Sequence, residues 1–183
     1  MHPSTMNDAM KKTLFLTFLP CLFFMTSYGT LAQEVSWMSW EEAVQKIAEE
    51  GGQKKIFIDV YTDWCGWCKK MDKDTFQNPE VAAYMSENFH MVKLDAEQKD
   101  PIEYGGKTYT YVPSGRRGYH QLAAALLQGK LSYPTVVFLD EDLRMLSPVP
   151  GYQKPDDFLK IARYFGEDIY KQKDWEAYTV EGR

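Results

Sequence analysis

The chain has 183 residues, of which 44% are hydrophobic and 26% charged, with a formal net charge of −5. A chain of that length buries roughly two thirds of its unfolded surface, enough for a core without a metal or disulfide staple. The acidic balance argues against a nucleic-acid surface or a polybasic membrane patch, and three cysteines are too few for a disulfide framework.

Lys11 and Lys12 precede an apolar run from Leu14 to Met25, and small and polar residues follow up to Thr30-Leu31-Ala32. This is the layout of a secretory signal. It predicts a signal peptide over 1–32, cleaved near Ala32, and a periplasmic or otherwise exported domain over 33–183. The apolar run is short against the roughly 20 residues that a bilayer span requires. An uncleaved N-terminal anchor is the rival reading. Cleavage removes Cys21 and leaves Cys65 and Cys68 as the cysteines of the mature chain.

Ser39 and Glu42 form a capping-box pattern, after which Trp40, Ala43, Val44, Ile47 and Ala48 recur at helical spacing up to Gly51. Residues 54–61 read as a strand buried on both faces with one acid, Asp59, inside it. A helix is expected over 69–74, and another after Asn78-Pro79, with Asn as cap and Pro in the first position. Residues 91–94 read as a short strand. Residues 95–117 are polar, rich in Gly, Tyr and Lys, and long for a connection. An Ala/Leu-rich helix is predicted over 119–127, ended by Gly129. Residues 135–139 and 143–146 suggest a hairpin, and 155–171 a last helix with Phe158, Ile161, Ala162 and Phe165 on one face. The tail after Lys171, with Trp175 and Tyr178, reads as a loosely packed end. This alternation predicts an α/β sandwich with a mixed sheet.

The chemistry sits at Trp64-Cys65-Gly66-Trp67-Cys68-Lys69. A disulfide needs Cα atoms about 4.4–6.8 Å apart, and two intervening residues at the first turn of a helix meet that requirement. There the first cysteine lies where unpaired amides and the helix dipole favour a thiolate. Cys65 is therefore the expected nucleophile and Cys68 the resolving thiol, acting through a mixed disulfide. A structural zinc site needs four ligands, and His90 and His120 stand at unsuitable spacing. Covalent haem attachment needs a His where Lys69 stands. No metal and no other cofactor is expected, since the two sulfurs can carry the electrons.

The run from Ile58 to Lys69 resembles the active-site strand and helix start of the thioredoxin fold. Its continuation, Thr75-Phe76-Gln77-Asn78-Pro79-Glu80-Val81, is similar to the periplasmic thiol:disulfide interchange branch, including the C-terminal domain of DsbD-type proteins. Ser132-Tyr133-Pro134-Thr135 resembles the cis-proline segment of that family, and Gly151 falls at its late glycine. The resemblance implies a thioredoxin-like three-layer sandwich with a core over about 54–171 and a helical insertion over about 95–130, before the cis-proline strand. It implies that Asp59 is the buried acid that accepts the proton of the resolving sulfur, and that Lys93 approaches it. Trp64, Gly66, Trp67, Tyr133 and Pro134 would contact substrate. Arg116, Arg117, Tyr109, Tyr111 and Tyr119 of the insertion are candidates for a surface near the cysteines.

These readings lead to an exported thiol-disulfide oxidoreductase, with a reductase of protein disulfides expected ahead of an oxidase or isomerase. Protein or peptide disulfides would be its substrates, and a membrane protein its electron donor, because that compartment is oxidising. The alternative from a different class is a non-catalytic peptide-binding module of the cell envelope. Replacing Cys65 separates the two, since a binding module needs only its groove.

Overall fold

A computed structural model describes residues 35–181, so the signal segment expected at 1–32, with Cys21, lies outside the described residues. Helix α1 (Trp40–Glu50) starts as its capping box dictates: the Ser39 hydroxyl accepts from the Glu42 amide, and the Glu42 carboxylate accepts from the Ser39 amide. Gly51, at φ +69°, closes it in the left-handed conformation that glycine adopts freely. A Ser39→Ala variant is expected to lose about 1 kcal/mol of stability, read as a lower urea midpoint with unchanged slope.

Strand β1 (Lys55–Tyr61) follows, then α2 (Gly66–Met71), which runs into a π-helical turn (Asp72–Phe76). Asn78 caps α3 (Pro79–Asn88), its side-chain oxygen accepting from the Glu80 and Val81 amides, with Pro79 in the first turn. Strand β2 (Phe89–Asp95) is longer than its apolar stretch suggests. The segment expected as a polar connection holds two small hairpins, β3 (Ile102–Tyr104) with β4 (Lys107–Tyr109), and β5 (Tyr111–Ser114) with β6 (Arg117–His120). The insertion is therefore largely β, and its helix α4 (Gln121–Leu126) is shorter than expected. His120 is the reason: buried, it ends β6 and caps α4 through Nδ1, which accepts from the Leu122 amide.

Strands β7 (Thr135–Leu139) and β8 (Met145–Pro150) make the expected antiparallel pair, but β8 starts later and extends through Pro148 and Pro150. The turn consumes Leu143, which takes φ +64°, while the Asp140 carboxylate accepts from the Asp142 and Arg144 amides. Two prolines weaken the strand pattern in the sequence, yet β8 is an edge strand, where a missing N–H is tolerated. Helix α5 (Pro155–Gly166) stops before Lys171, and Asp168 turns to φ +58° ahead of a 3₁₀ turn (Ile169–Lys171). The carboxylate of Asp168 reaches the buried Lys55 ammonium at 2.9 Å, which Glu141 also holds at 2.6 Å. The tail is not loose: α6 (Trp175–Glu181) sets Trp175 and Tyr178 against the Tyr164 ring, at 5.2 and 5.4 Å.

The central sheet runs β2-β1-β7-β8, with β1 parallel to β2 and antiparallel to β7. Side chains of β1 alternate between two cores. Ile56, Ile58 and Val60 pack with α1 and α4, whereas Phe57 packs with Met71, Phe76, α3 and α5. The Phe57 ring meets Phe76, Phe138 and Phe158 at 5.3–5.6 Å, edge to face, the favoured aromatic geometry. Helices thus cover both faces of a mixed sheet, in three layers. Asp59 shares the face of Phe57, the one that α2 covers.

Candidate active site

The carboxyl end of central strand β1 delivers the chain to the site. A turn bonds the Cys65 amide to the Thr62 carbonyl at 3.0 Å, and Cys65 then caps α2. The Cys68 amide donates to Cys65 Sγ at 3.0 Å, so the first sulfur sits against an amide that stabilises its anion. Cys65 and Cys68 are joined in a disulfide with Cα atoms 5.3 Å apart, inside the range that the spacing requires. Both residues are buried, while Trp64 and Trp67 beside them are 51% and 59% exposed. Gly66 opens α2 with nothing within 4 Å of where a Cβ would stand, so no neighbour demands glycine there.

Each tryptophan is held by its own set of neighbours. Trp64 donates its indole N–H to Glu97 at 2.9 Å, meets the Tyr133 ring edge-on at 6.0 Å, and lies under the Arg117 guanidinium at 4.5 Å. Trp67 meets the Tyr152 ring at 5.6 Å; the Tyr152 hydroxyl donates to Asp74, which also pairs with Lys70. Pro134 is buried, its bond to Tyr133 is cis, and its carbonyl accepts from the Gly151 amide at 2.8 Å. Thr135 pairs with Val60, which sets Pro134 at the end of β1 from which the cysteine loop leaves. Gly151 takes φ +88°, a conformation that glycine alone enters without strain.

Beneath α2, Asp59 is 1% exposed. Its register partners are Lys93 on β2 and Val136 on β7. Lys93 Nζ lies 3.0 Å from Asp59 Oδ2 and also pairs with Asp72 in the π-helical turn. The other Asp59 oxygen has no hydrogen-bond partner among the described residues. Burial raises the pKa of Asp59, Lys93 offsets part of that rise, and the result is about 6. Burial pulls Lys93 down, but Asp59 and Asp72 outweigh it and leave its pKa raised. The Lys93 ammonium also lies over the Trp37 and Tyr61 rings, at 4.8 and 5.0 Å. A cleft of about 290 Å³, lined by Val35, Trp37, Asp72, Phe76, Gln77 and Lys93, opens beside Lys93 and Asp72.

The sequence family Thioredox_DsbH, described as a protein of unknown function (DUF255), matches residues 28–157. The chain belongs to this family. It is 27% identical over 117 residues to disulfide bond reductase DsbH of Chlamydia pneumoniae, covering 63% of each chain. It is 36% identical over 89 residues to the thiol:disulfide interchange protein DsbD of Vibrio vulnificus, covering 45% of this chain and 15% of that one. A thioredoxin-fold protein from Helicobacter pylori superposes with a TM-score of 0.56 at 20% identity, over 84% of this chain and 90% of that one. The thioredoxin fold is thereby shown. The chain spans 11–15% of the length of the first curated relatives it matches.

Within this DsbH-like chain, the insertion candidates part company. Arg117 reaches Trp64, whereas Tyr109 packs on Tyr104 at 6.2 Å and Tyr111 lies across Gly118. Arg116 is exposed in the hairpin turn, and Tyr119 is half-buried on β6. Asp72, Glu97 and Tyr152 are site residues that the sequence reading did not single out. Asp72 was accessible to it: it stands four residues after Cys68, on the same helical face. Glu97 and Tyr152 reach the tryptophans only through the fold, and no local signal marks them. Among the described residues, no cluster of His, Cys, Asp or Glu is placed to hold a metal ion, and no helix is long and apolar enough to cross a membrane.

Proposed function

We propose that the protein is an exported thiol-disulfide oxidoreductase that reduces protein or peptide disulfides. The observation that carries the reading is a Cys65–Cys68 pair at the start of α2, on the sheet face that holds the buried carboxyl of Asp59. In the reduced form, the Cys65 thiolate attacks one sulfur of a substrate disulfide. A Cys65–substrate bond forms and the other substrate sulfur leaves as a thiolate. Cys68 then gives its proton to Asp59 and attacks Cys65 Sγ, which releases the second substrate thiol and leaves the Cys65–Cys68 disulfide. Two electrons pass to the substrate; its departing thiolates take up protons from solvent and the one released through Asp59, and no further cofactor is needed.

With a pKa of about 6, Asp59 is largely ionised near neutral pH and can take that proton. Lys93 keeps the carboxylate oriented and its charge tolerable in the interior. The exposed rings of Trp64 and Trp67, with Tyr133 and the Pro134 loop, offer an extended peptide both apolar faces and backbone groups. The reductase direction is supported by the name of the Chlamydia pneumoniae relative and by the base beneath the resolving thiol. An exported reductase requires re-reduction, for which a membrane-bound dithiol protein of the DsbD kind is the fitting donor.

The decisive measurement is the reduction potential of the Cys65–Cys68 pair, by equilibration of residues 33–183 in defined thiol buffers. A value close to the thioredoxin figure of about −270 mV is expected. A value nearer the oxidant figure of about −120 mV would reverse the direction of transfer.

A further inference from the structure

The β5–β6 hairpin enters the dithiol site through one side chain. Ser114 pairs with Arg117 across the turn Gly115-Arg116, and the next residue, Gly118, leaves the space that the Tyr111 ring fills. A Cβ at Gly118 would stand 2.3 Å from that ring and from the Val112 carbonyl, so hairpin register is fixed from within. At its base, the His120 amide bonds to the Ala96 carbonyl at 2.6 Å and the Gln121 amide to Thr110 at 2.9 Å. Arg117 is thus carried on an anchored element and set over the ring that adjoins the nucleophile.

The guanidinium of Arg117 is exposed, and among the described residues it forms no ion pair with a carboxylate. The acid of the same cluster, Glu97, accepts from the Trp64 indole instead. A guanidinium stacked on an aromatic face is pre-organised, and its in-plane N–H donors match a carboxylate two at a time. An extended peptide advances about 3.3 Å per residue, so an acid a few residues from a cysteine held at Cys65 comes within reach of this cation.

We propose that Arg117 is a specificity-determining residue, and that it takes the carboxylate of an Asp or Glu lying close to the substrate disulfide. The hairpin is then a recognition element for acidic substrate segments. The inference rests on the exchange activity proposed above.

The test compares disulfide-linked peptides identical except for Glu or Gln, scanned along the residues on either side of the cysteine. Their reduction by the reduced protein gives kcat/KM for each. At one or more positions the Glu peptide should be favoured about three- to fivefold at low salt, mainly through KM, with the advantage shrinking as salt rises. Arg117→Ala should bring the ratio close to one, Arg117→Lys should keep part of it, and Arg117→Glu should invert it. No preference at any position, or one that persists in Arg117→Ala, overturns the proposal. If the unmodified protein reduces none of the peptides, the exchange reading itself fails, and the assignment of Arg117 falls with it.

Discussion

A Cys65→Ser variant is expected to lose disulfide-exchange turnover by about a thousandfold or more, because an alcohol at that position supplies no thiolate. Cys68→Ser should behave differently. It retains the Cys65 thiolate, attacks the substrate and stops at the mixed disulfide, since the second sulfur that would release it is gone. Turnover of a protein disulfide measures the first effect. Mass spectrometry of the Cys68→Ser protein, isolated from its own compartment under acid quench, measures the second. Covalent adducts with envelope proteins are the expected result. A Cys65→Ser protein that turns over normally, or a Cys68→Ser protein that collects no adducts, would sink the catalytic reading and leave only a peptide-binding groove. The folded state should be little affected by either change, because the disulfide closes a very short loop and constrains little of the unfolded chain. Loss of activity without loss of fold is therefore the diagnostic pattern.

What the sequence made legible is what is local. The Ser39–Glu42 box, the Asn78-Pro79 cap and the Cys65–Cys68 spacing each specify geometry within one turn of helix, and each has that geometry. Asp59 was legible because apolar residues surround it in a strand too continuous to be half-exposed. The hairpins were not, because strands of three or four residues carry too few positions to display alternation, and Tyr and Lys blur it further. The contacts of Arg117 and Glu97 with Trp64 arise only when the insertion folds back over the site, and nothing near Trp64 in the chain announces them. Strand β8 lies later than the apolar run at 143–146 because the turn takes up Leu143, and its edge position in the sheet permits Pro148 and Pro150. The family resemblance rests on contiguous motifs around Cys65 and Pro134, and it says least about the insertion.

Asp59→Asn is expected to produce a protein that is more stable near neutral pH and slower. The folded-state pKa of Asp59 lies at about 6, above its ordinary value of 3.8. Below pH about 4, folded and unfolded chains both hold the proton, and the group contributes nothing to pH dependence. Between about 4 and 6 the unfolded chain releases its proton first, so folding becomes less favourable as pH rises. Above about 6 the full cost of a buried carboxylate is present. Roughly two pKa units correspond to at most about 3 kcal/mol. Asparagine keeps the shape without the charge, so the oxidised variant should gain up to that amount at pH 7.5 and almost nothing at pH 4. Lys93 reduces the gain by losing one partner, although Asp72 still holds it. The same change removes the proposed acceptor for the Cys68 proton, and turnover near pH 7 should fall about a hundredfold, the low end for a lost general base. Urea unfolding at the two pH values and turnover of one substrate measure both effects on one protein. Destabilisation at pH 7.5, or turnover equal to that of the parent, would remove Asp59 from the mechanism. The opposed signs separate function from packing: a residue kept for the fold would lose stability when replaced, and one kept for proton transfer gains it.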